Sequence, residues 1–192
     1  MSRYLTKLRF ILGLDCPAKL FYTGKPQYQD KSEGDSFLEA LAEGGFQVGA
    51  LAKCYYPEGI EVGDRDYESS LRKTEELLRN NDVVIFEGAF SYRNLFVRAD
   101  IIEKKGNTIN LIEVKSKSFD GSDYRDMLSK KGYLDSKWRD YVYDVAFQKY
   151  VISKAYPDWN VHAYLMLANK NAFATVEGLN QRFLLKSVDG KR

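Results

Sequence analysis

Val97-Arg98-Ala99-Asp100-Ile101-Ile102-Glu103, a break at Gly106-Asn107, and Leu111-Ile112-Glu113-Val114-Lys115-Ser116-Lys117 form the stretch on which the fold turns. Both flanks are rich in β-forming residues and the break is turn chemistry, which predicts an antiparallel hairpin. With Gly106 and Asn107 as a two-residue turn, residues placed symmetrically about it face each other, and Asp100 stands across from Glu113. Side chains alternate along a strand, so Glu113 and Lys115 share a face with Asp100 while Ile112 and Val114 point into a core. Two carboxylates and an ammonium on one patch can be a solvated ion-pair ladder. They also suit a hard divalent cation: Asp100, Glu113 and the Val114 main-chain carbonyl are oxygen ligands fit for Mg2+ or Mn2+, with Lys115 beside them to position water.

A chain of 192 residues, 44% hydrophobic and 14% aromatic, suits one domain with a real core and is not a disordered chain. Its 29 basic and 27 acidic residues leave a charge of +2, so any electrostatic footprint for nucleic acid must be local. Cys16 and Cys54, neither with a CxxC partner, are too few for a disulfide scaffold and point to a reducing compartment. Phe10-Ile11-Leu12-Gly13-Leu14 is too short for a signal segment and no apolar run is long enough to span a membrane. The expected location is the cytoplasm, with no membrane partner.

Outward from the hairpin, Val83 to Tyr92 is strongly β and makes three consecutive strands, an antiparallel meander, with Glu87 its odd acid. Upstream, Thr6 is a candidate cap for a helix carrying Leu8, Ile11 and Leu12, and Pro17 opens a second short helix. After a polar linker, Phe37, Leu38, Leu41, Ala42, Phe46, Val48 and Leu51 give a helix running to about Cys54. Ile60 to Val62 is a short extended piece before a charged helix from about Asp66 to Asn80.

Downstream, Phe119 to Ser136 is a loop of 18 residues beside the acidic patch. Lys115, Lys117, Lys130, Lys131, Lys137 and Arg139 give this edge a local positive field, and Tyr124 and Tyr133 supply stacking surfaces for single-stranded nucleic acid. Ser136 to Ala155 reads as a helix on apolar Trp138, Val142, Val145, Ala146, Tyr150, Val151 and Ile152. Asp144 and Gln148, four apart, share one face of it, ordinarily a solvated one. Val161 to Leu167 is a further strand, so strand, helix and strand allow parallel pairing, and His162 is expected half-buried there. Phe173 to Val176 reads as a weak strand, and Leu179 to Ser187 is of open type. The expectation is one α/β domain over residues 1–192 with a mixed central sheet, an antiparallel meander and flanking helices.

Asp100, followed thirteen residues on by Glu113-Val114-Lys115, resembles the PD-(D/E)XK nuclease superfamily, whose core is a meander bearing these motifs, then a helix and a strand. Gln148 stands where the RecB-like branch carries its glutamine, although the tyrosine usual four positions on is Ile152 here and Tyr150 is the nearest aromatic. Cys16-Pro17-Ala18-Lys19-Leu20-Phe21-Tyr22 resembles the segment in which RecB-like nucleases and their CRISPR-adaptation relatives hold a [4Fe–4S] cluster, but the three further cysteines that cluster needs are missing. Glu43-Gly44-Gly45-Phe46-Gln47-Val48-Gly49 resembles the helix carrying that branch's histidine ligand, with Gly49 in its place and Glu43 one turn earlier.

The resemblance implies a restriction-endonuclease-like core and a Mg2+- or Mn2+-dependent deoxyribonuclease, its products bearing 5′-phosphate and 3′-hydroxyl ends, most readily an exonuclease. It implies metal ligation by Asp100, Glu113 and the Val114 carbonyl, with Glu43 and Glu87 as further acids, and catalysis by Asp100, Glu113, Lys115 and Gln148. Lys117, Lys130, Lys131 and Tyr150 would meet DNA, single- or double-stranded, and no iron–sulfur cluster is expected in this chain. Relatives of this branch often continue beyond such a domain, so the chain can be the amino-terminal part of a longer protein. The degraded first motif leaves an alternative: a catalytically weak nucleic-acid-binding or assembly module of a larger nuclease-helicase system, with a helicase or nuclease partner.

Overall fold

A computed structural model of the chain describes residues 4–28, 35–63, 66–120, 123–173, 175–178 and 181. In chain order the elements are β1 (Leu5–Thr6), α1 (Lys7–Asp15), α2 (Pro17–Tyr22), α3 (Ser36–Lys53), β2 (Ile60–Glu61), α4 (Tyr67–Leu77), β3 (Asp82–Tyr92), β4 (Leu95–Lys105), β5 (Thr108–Phe119), α5 (Ser136–Ala155) and β6 (Asn160–Asn169). They make an α/β fold around one mixed six-stranded sheet of order β2-β3-β4-β5-β6, with β1 added in parallel to β4.

The meander is present, β3 antiparallel to β4 and β4 to β5. Lys105 pairs with Thr108 and Ile101 with Ile112, the register that a Gly106-Asn107 turn dictates, and Gly106 takes the φ of +55° such a turn needs. The crossover through α5 returns β6 parallel to β5, as strand, helix and strand require. Helix caps follow side-chain chemistry: Thr6 accepts from the Arg9 amide, Asp35 from Phe37 and Leu38, Asp66 from Ser69, Asp135 from Lys137. Cys16 caps α2 through its sulfur, which accepts from the Lys19 amide.

Helices cover both faces, so the central strands are apolar on both sides. One core gathers Ile85, Phe90, Val97, Ile102, Leu111, Val145, Phe147, Val151 and Ile152, with Phe10 of α1 and Leu77 of α4 against it. The other holds Phe86, Ile101 and Ile112 with Ala52 of α3. Ile85 and Phe90 share a core, as do Val97 and Ile102, although a separation of five puts residues on opposite faces of a regular strand. The reversal falls at Glu87 and Asp100. The register joins Phe86 to Ile101 and Gly88 to Ala99 and skips the pair between them, where Glu87 adopts a φ of +56°.

Two expectations change, a third lies outside the described residues, and the loop after β5 gains local structure. Phe173, Thr175 and Val176 lie outside any strand, having no neighbouring strand to pair with among the described residues. Leu179 to Ser187 falls outside the described residues except for Gln181. His162 is exposed rather than half-buried, because β6 is a sheet edge. The loop after β5 is ordered by a 3-10 turn over Tyr124–Met127 and a Leu128–Leu134 bridge, whose tip carries Lys130, Lys131 and a Gly132 at φ +79°.

Candidate active site

The site grows out of a change of strand partner. β5 pairs with β4 only as far as Ile101 and Ile112, and nearer the start of β4 it is β1 that pairs, at Leu95 and Phe96. Asp100 lies in the gap between these two pairings. There its Oδ2 accepts a hydrogen bond from the Val114 amide at 2.7 Å, a side chain standing in for the missing ladder bond. β1 runs parallel to β4, so the residue after it, Lys7, is delivered into the same gap. Its Nζ lies 3.0 Å from Glu113 Oε1 and 3.6 Å from Asp100 Oδ1. The two carboxylates therefore converge on one cation-sized position.

Behind them stands a second tier. Lys115 Nζ lies 2.6 Å from Glu113 Oε1 and 2.8 Å from Asp144 Oδ2. Gln148 Nε2 donates to Glu113 Oε2 at 2.7 Å and to Asp144 Oδ1 at 3.0 Å. The solvated face expected for Asp144 and Gln148 is thus a buried one: Gln148 is 0% exposed, and its Oε1 has no hydrogen-bond partner among the described residues. The reason is that α5 turns Val145, Phe147, Val151 and Ile152 into the core and leaves Ala146 and Tyr150 outside, which lays Asp144 and Gln148 over β5. Sequence reading missed Lys7 altogether and undervalued Asp144. An i,i+4 Asp/Gln pair bordering the apolar face of α5 was the available signal for the latter.

Burial and charge set the ionisation states. Burial pushes Glu113 up, but the ammonium groups of Lys7 and Lys115, with hydrogen bonds from Lys115 and Gln148, outweigh it and hold the carboxyl down at about 2. Asp100 is raised, by burial first and by the Glu113 charge, against the pull of Lys7 and the Val114 amide. Asp144 is raised by burial and Glu113, against Lys7 and Lys115. Burial lowers Lys115, yet Glu113 and Asp144 more than reverse this, so it stays an ammonium. Lys7 is raised too, the attraction of Glu113, Asp100 and Asp144 exceeding its burial.

In front of the carboxylates is an open cavity of about 560 Å3, walled by Lys7, Asp100, Glu113, Val114 and Lys115 on one side and Gly45, Phe46, Gly49 and Lys53 of α3 on the other. Glu87 lines it as well, raised by burial and by Asp100, with Lys53 Nζ 3.9 Å away. Glu43 does not: it is exposed on α3 and is no part of the wall. At Gly49 an added Cβ would meet nothing within 4 Å among the described residues, so the wall has room for a side chain there.

The expected DNA-facing residues divide. Lys117 Nζ lies over the Trp138 ring at 4.8 Å and the Tyr141 ring at 5.3 Å, while Lys130 and Lys131 are exposed on the loop. Tyr150, two positions from Gln148, points to another side of α5 and lines an apolar groove with Leu5, Phe10, Leu14 and Tyr143. It does not reach the carboxylates.

Among the described residues no group of three or more His, Cys, Asp or Glu side chains forms a metal cage. What Asp100 and Glu113 offer is two hard oxygen donors converging on one cation beside open volume, which fits an ion that keeps several waters and takes one or two carboxylates from protein. The chain matches no protein-family model, no curated protein and no solved structure.

Proposed function

We propose that the chain is a divalent-metal-dependent deoxyribonuclease of the PD-(D/E)XK type, with a restriction-endonuclease-like core, acting in the manner of an exonuclease and leaving 5′-phosphate and 3′-hydroxyl ends. The observation that carries the reading is the convergence of Asp100 and Glu113 on one cation position, with Lys115 touching Glu113 at the edge of an open cavity. Asp100, Glu113 and the Val114 carbonyl would hold Mg2+ or Mn2+, which when bound lowers the pKa of a water and neutralises phosphate charge. Lys115, 2.6 Å from Glu113 Oε1 and 2.8 Å from Asp144 Oδ2, orients or helps deprotonate that water and stabilises the developing phosphate charge. Gln148 fixes the Glu113 carboxylate and Asp144 fixes Lys115. Glu87 adds a third acid at the cavity wall, and Lys117, Lys130 and Lys131 supply the positive edge for DNA. No helix among the described residues is long and apolar enough to cross a membrane.

Gly49, open where a ligand would stand, favours a second reading: a weakly catalytic nucleic-acid-binding or assembly module working with a helicase or nuclease partner. Assays on linear, circular and single-stranded DNA with Mg2+ and Mn2+ separate the two. The nuclease reading expects metal-dependent cleavage that is lost in an Asp100→Ala, Lys115→Ala double variant. Cleavage retained in that variant places the activity elsewhere, and salt-sensitive binding without turnover selects the binding module.

A further inference from the structure

Lys7 has no part in the motifs read from the sequence, yet its ammonium reaches both acids of the proposed metal pair. Resting on the reading of Asp100 and Glu113 as that pair, we propose that Lys7 is the site's built-in counter-ion: its ammonium holds the divalent cation's place, and metal enters by displacing it.

Three observations support the exchange. Lys7 Nζ lies between the two carboxylates, 3.0 Å from Glu113 Oε1 and 3.6 Å from Asp100 Oδ1, the position a bridging ion would take. A divalent ion there would face the ammonium at contact distance, and repulsion between like charges at such range forbids joint occupancy. Lys7 also opens α1, a helix with no acid in its first turn, where the helix dipole disfavours a cation. The carboxylates, not the helix, therefore hold the side chain in place, and it is released when they are taken. Finally, it has somewhere to go. Lys7 is in the wall of the 560 Å3 cavity, and its four-carbon stem can swing there while α1 stays anchored by the Phe10–Phe147 stack and the Arg139–Asp15 ion pair.

The exchange explains how a chain with several buried acids folds before metal arrives: the Lys7 ammonium, with Lys115 beside Glu113, offsets the pair's charge until the ion takes the Lys7 position. It also brings a cation to the cavity only when the site is loaded, where a substrate phosphate would sit.

The test uses the full chain and Mn2+ alone, with binding read by electron paramagnetic resonance and no reliance on cleavage. Lys7→Met keeps the stem and removes the charge, and it should bind Mn2+ at least about tenfold more tightly than wild type. In wild type, labelling of Lys7 by an amine-reactive reagent should rise on adding Mn2+, with Lys105, whose side chain is 70% exposed, as the internal reference. The labelling arm decides the matter should Lys7→Met fail to fold. If Mn2+ binds in an Asp100-dependent way but Lys7→Met does not tighten it, or Lys7 labelling stays constant, displacement is wrong and the metal site stands. If neither wild type nor Lys7→Met binds Mn2+, the metal reading falls and the proposal with it.

Discussion

Replacing Glu113 with glutamine keeps the shape of the most deeply buried acid in the site and removes its charge. The carboxyl is 1% exposed, and its pKa falls from an ordinary 4.5 to about 2 on folding. A shift of that size corresponds to about 3 kcal/mol of folding stability at neutral pH, matching the roughly 3–5 kcal/mol lost when one partner of a buried ion pair is removed. A depressed folded pKa means the contribution is complete above the unfolded value and fades as pH falls toward about 2. At pH 3 it has dropped to less than half of its neutral-pH value. Asp100, Asp144 and Glu87 are shifted the opposite way, so the wild-type curve alone mixes the two effects. The difference between wild type and Glu113→Gln reports Glu113 together with the neighbours that its charge shifts, Asp100, Asp144, Lys7 and Lys115. Urea unfolding at pH 7 and pH 3 should show the variant less stable by about 3 kcal/mol at pH 7 and by less than half of that at pH 3. A variant as stable as wild type at pH 7, or a gap that stays constant with pH, would refute the charge balance described for the site.

Gly49→His points a ligand into open space at the cavity wall and should tighten Mn2+ binding by about tenfold, seen by paramagnetic resonance; unchanged affinity would mean that this turn of α3 does not address the metal position. Glu87→Gly relieves a φ of +56° in mid-strand and should raise stability by about 1 kcal/mol in thermal unfolding. A fall instead would show that contacts of the Glu87 carboxylate outweigh the backbone strain.

The hairpin was legible because its signal is local: a Gly-Asn turn between two β-rich runs sets the register, and register sets which residues face each other. The same logic reached Glu113 and Lys115, whose side chains follow strict alternation from Leu111. It reached Asp100 by an argument that the fold replaces. Asp100 does not complete a cross-strand pair; it sits where β4 exchanges β5 for β1, beside a break in alternation at Glu87 that no propensity marks. Lys7 was illegible for a related reason. It follows a two-residue strand too short to show periodicity, and its partners are more than ninety positions away. Asp144 and Gln148 show the limit of polarity as a guide, since a polar pair at the border of an apolar helix face is buried once the facing strand offers it a charge.

Crystals soaked in Mn2+ and examined by anomalous scattering address the central claim, that Asp100 and Glu113 gather a catalytic cation. The account predicts an anomalous peak about 2 Å from a carboxylate oxygen of each, with the Lys7 ammonium moved toward the cavity. It is contradicted if, at Mn2+ concentrations that support DNA cleavage in solution, that position holds no peak and Lys7 remains between the two carboxylates.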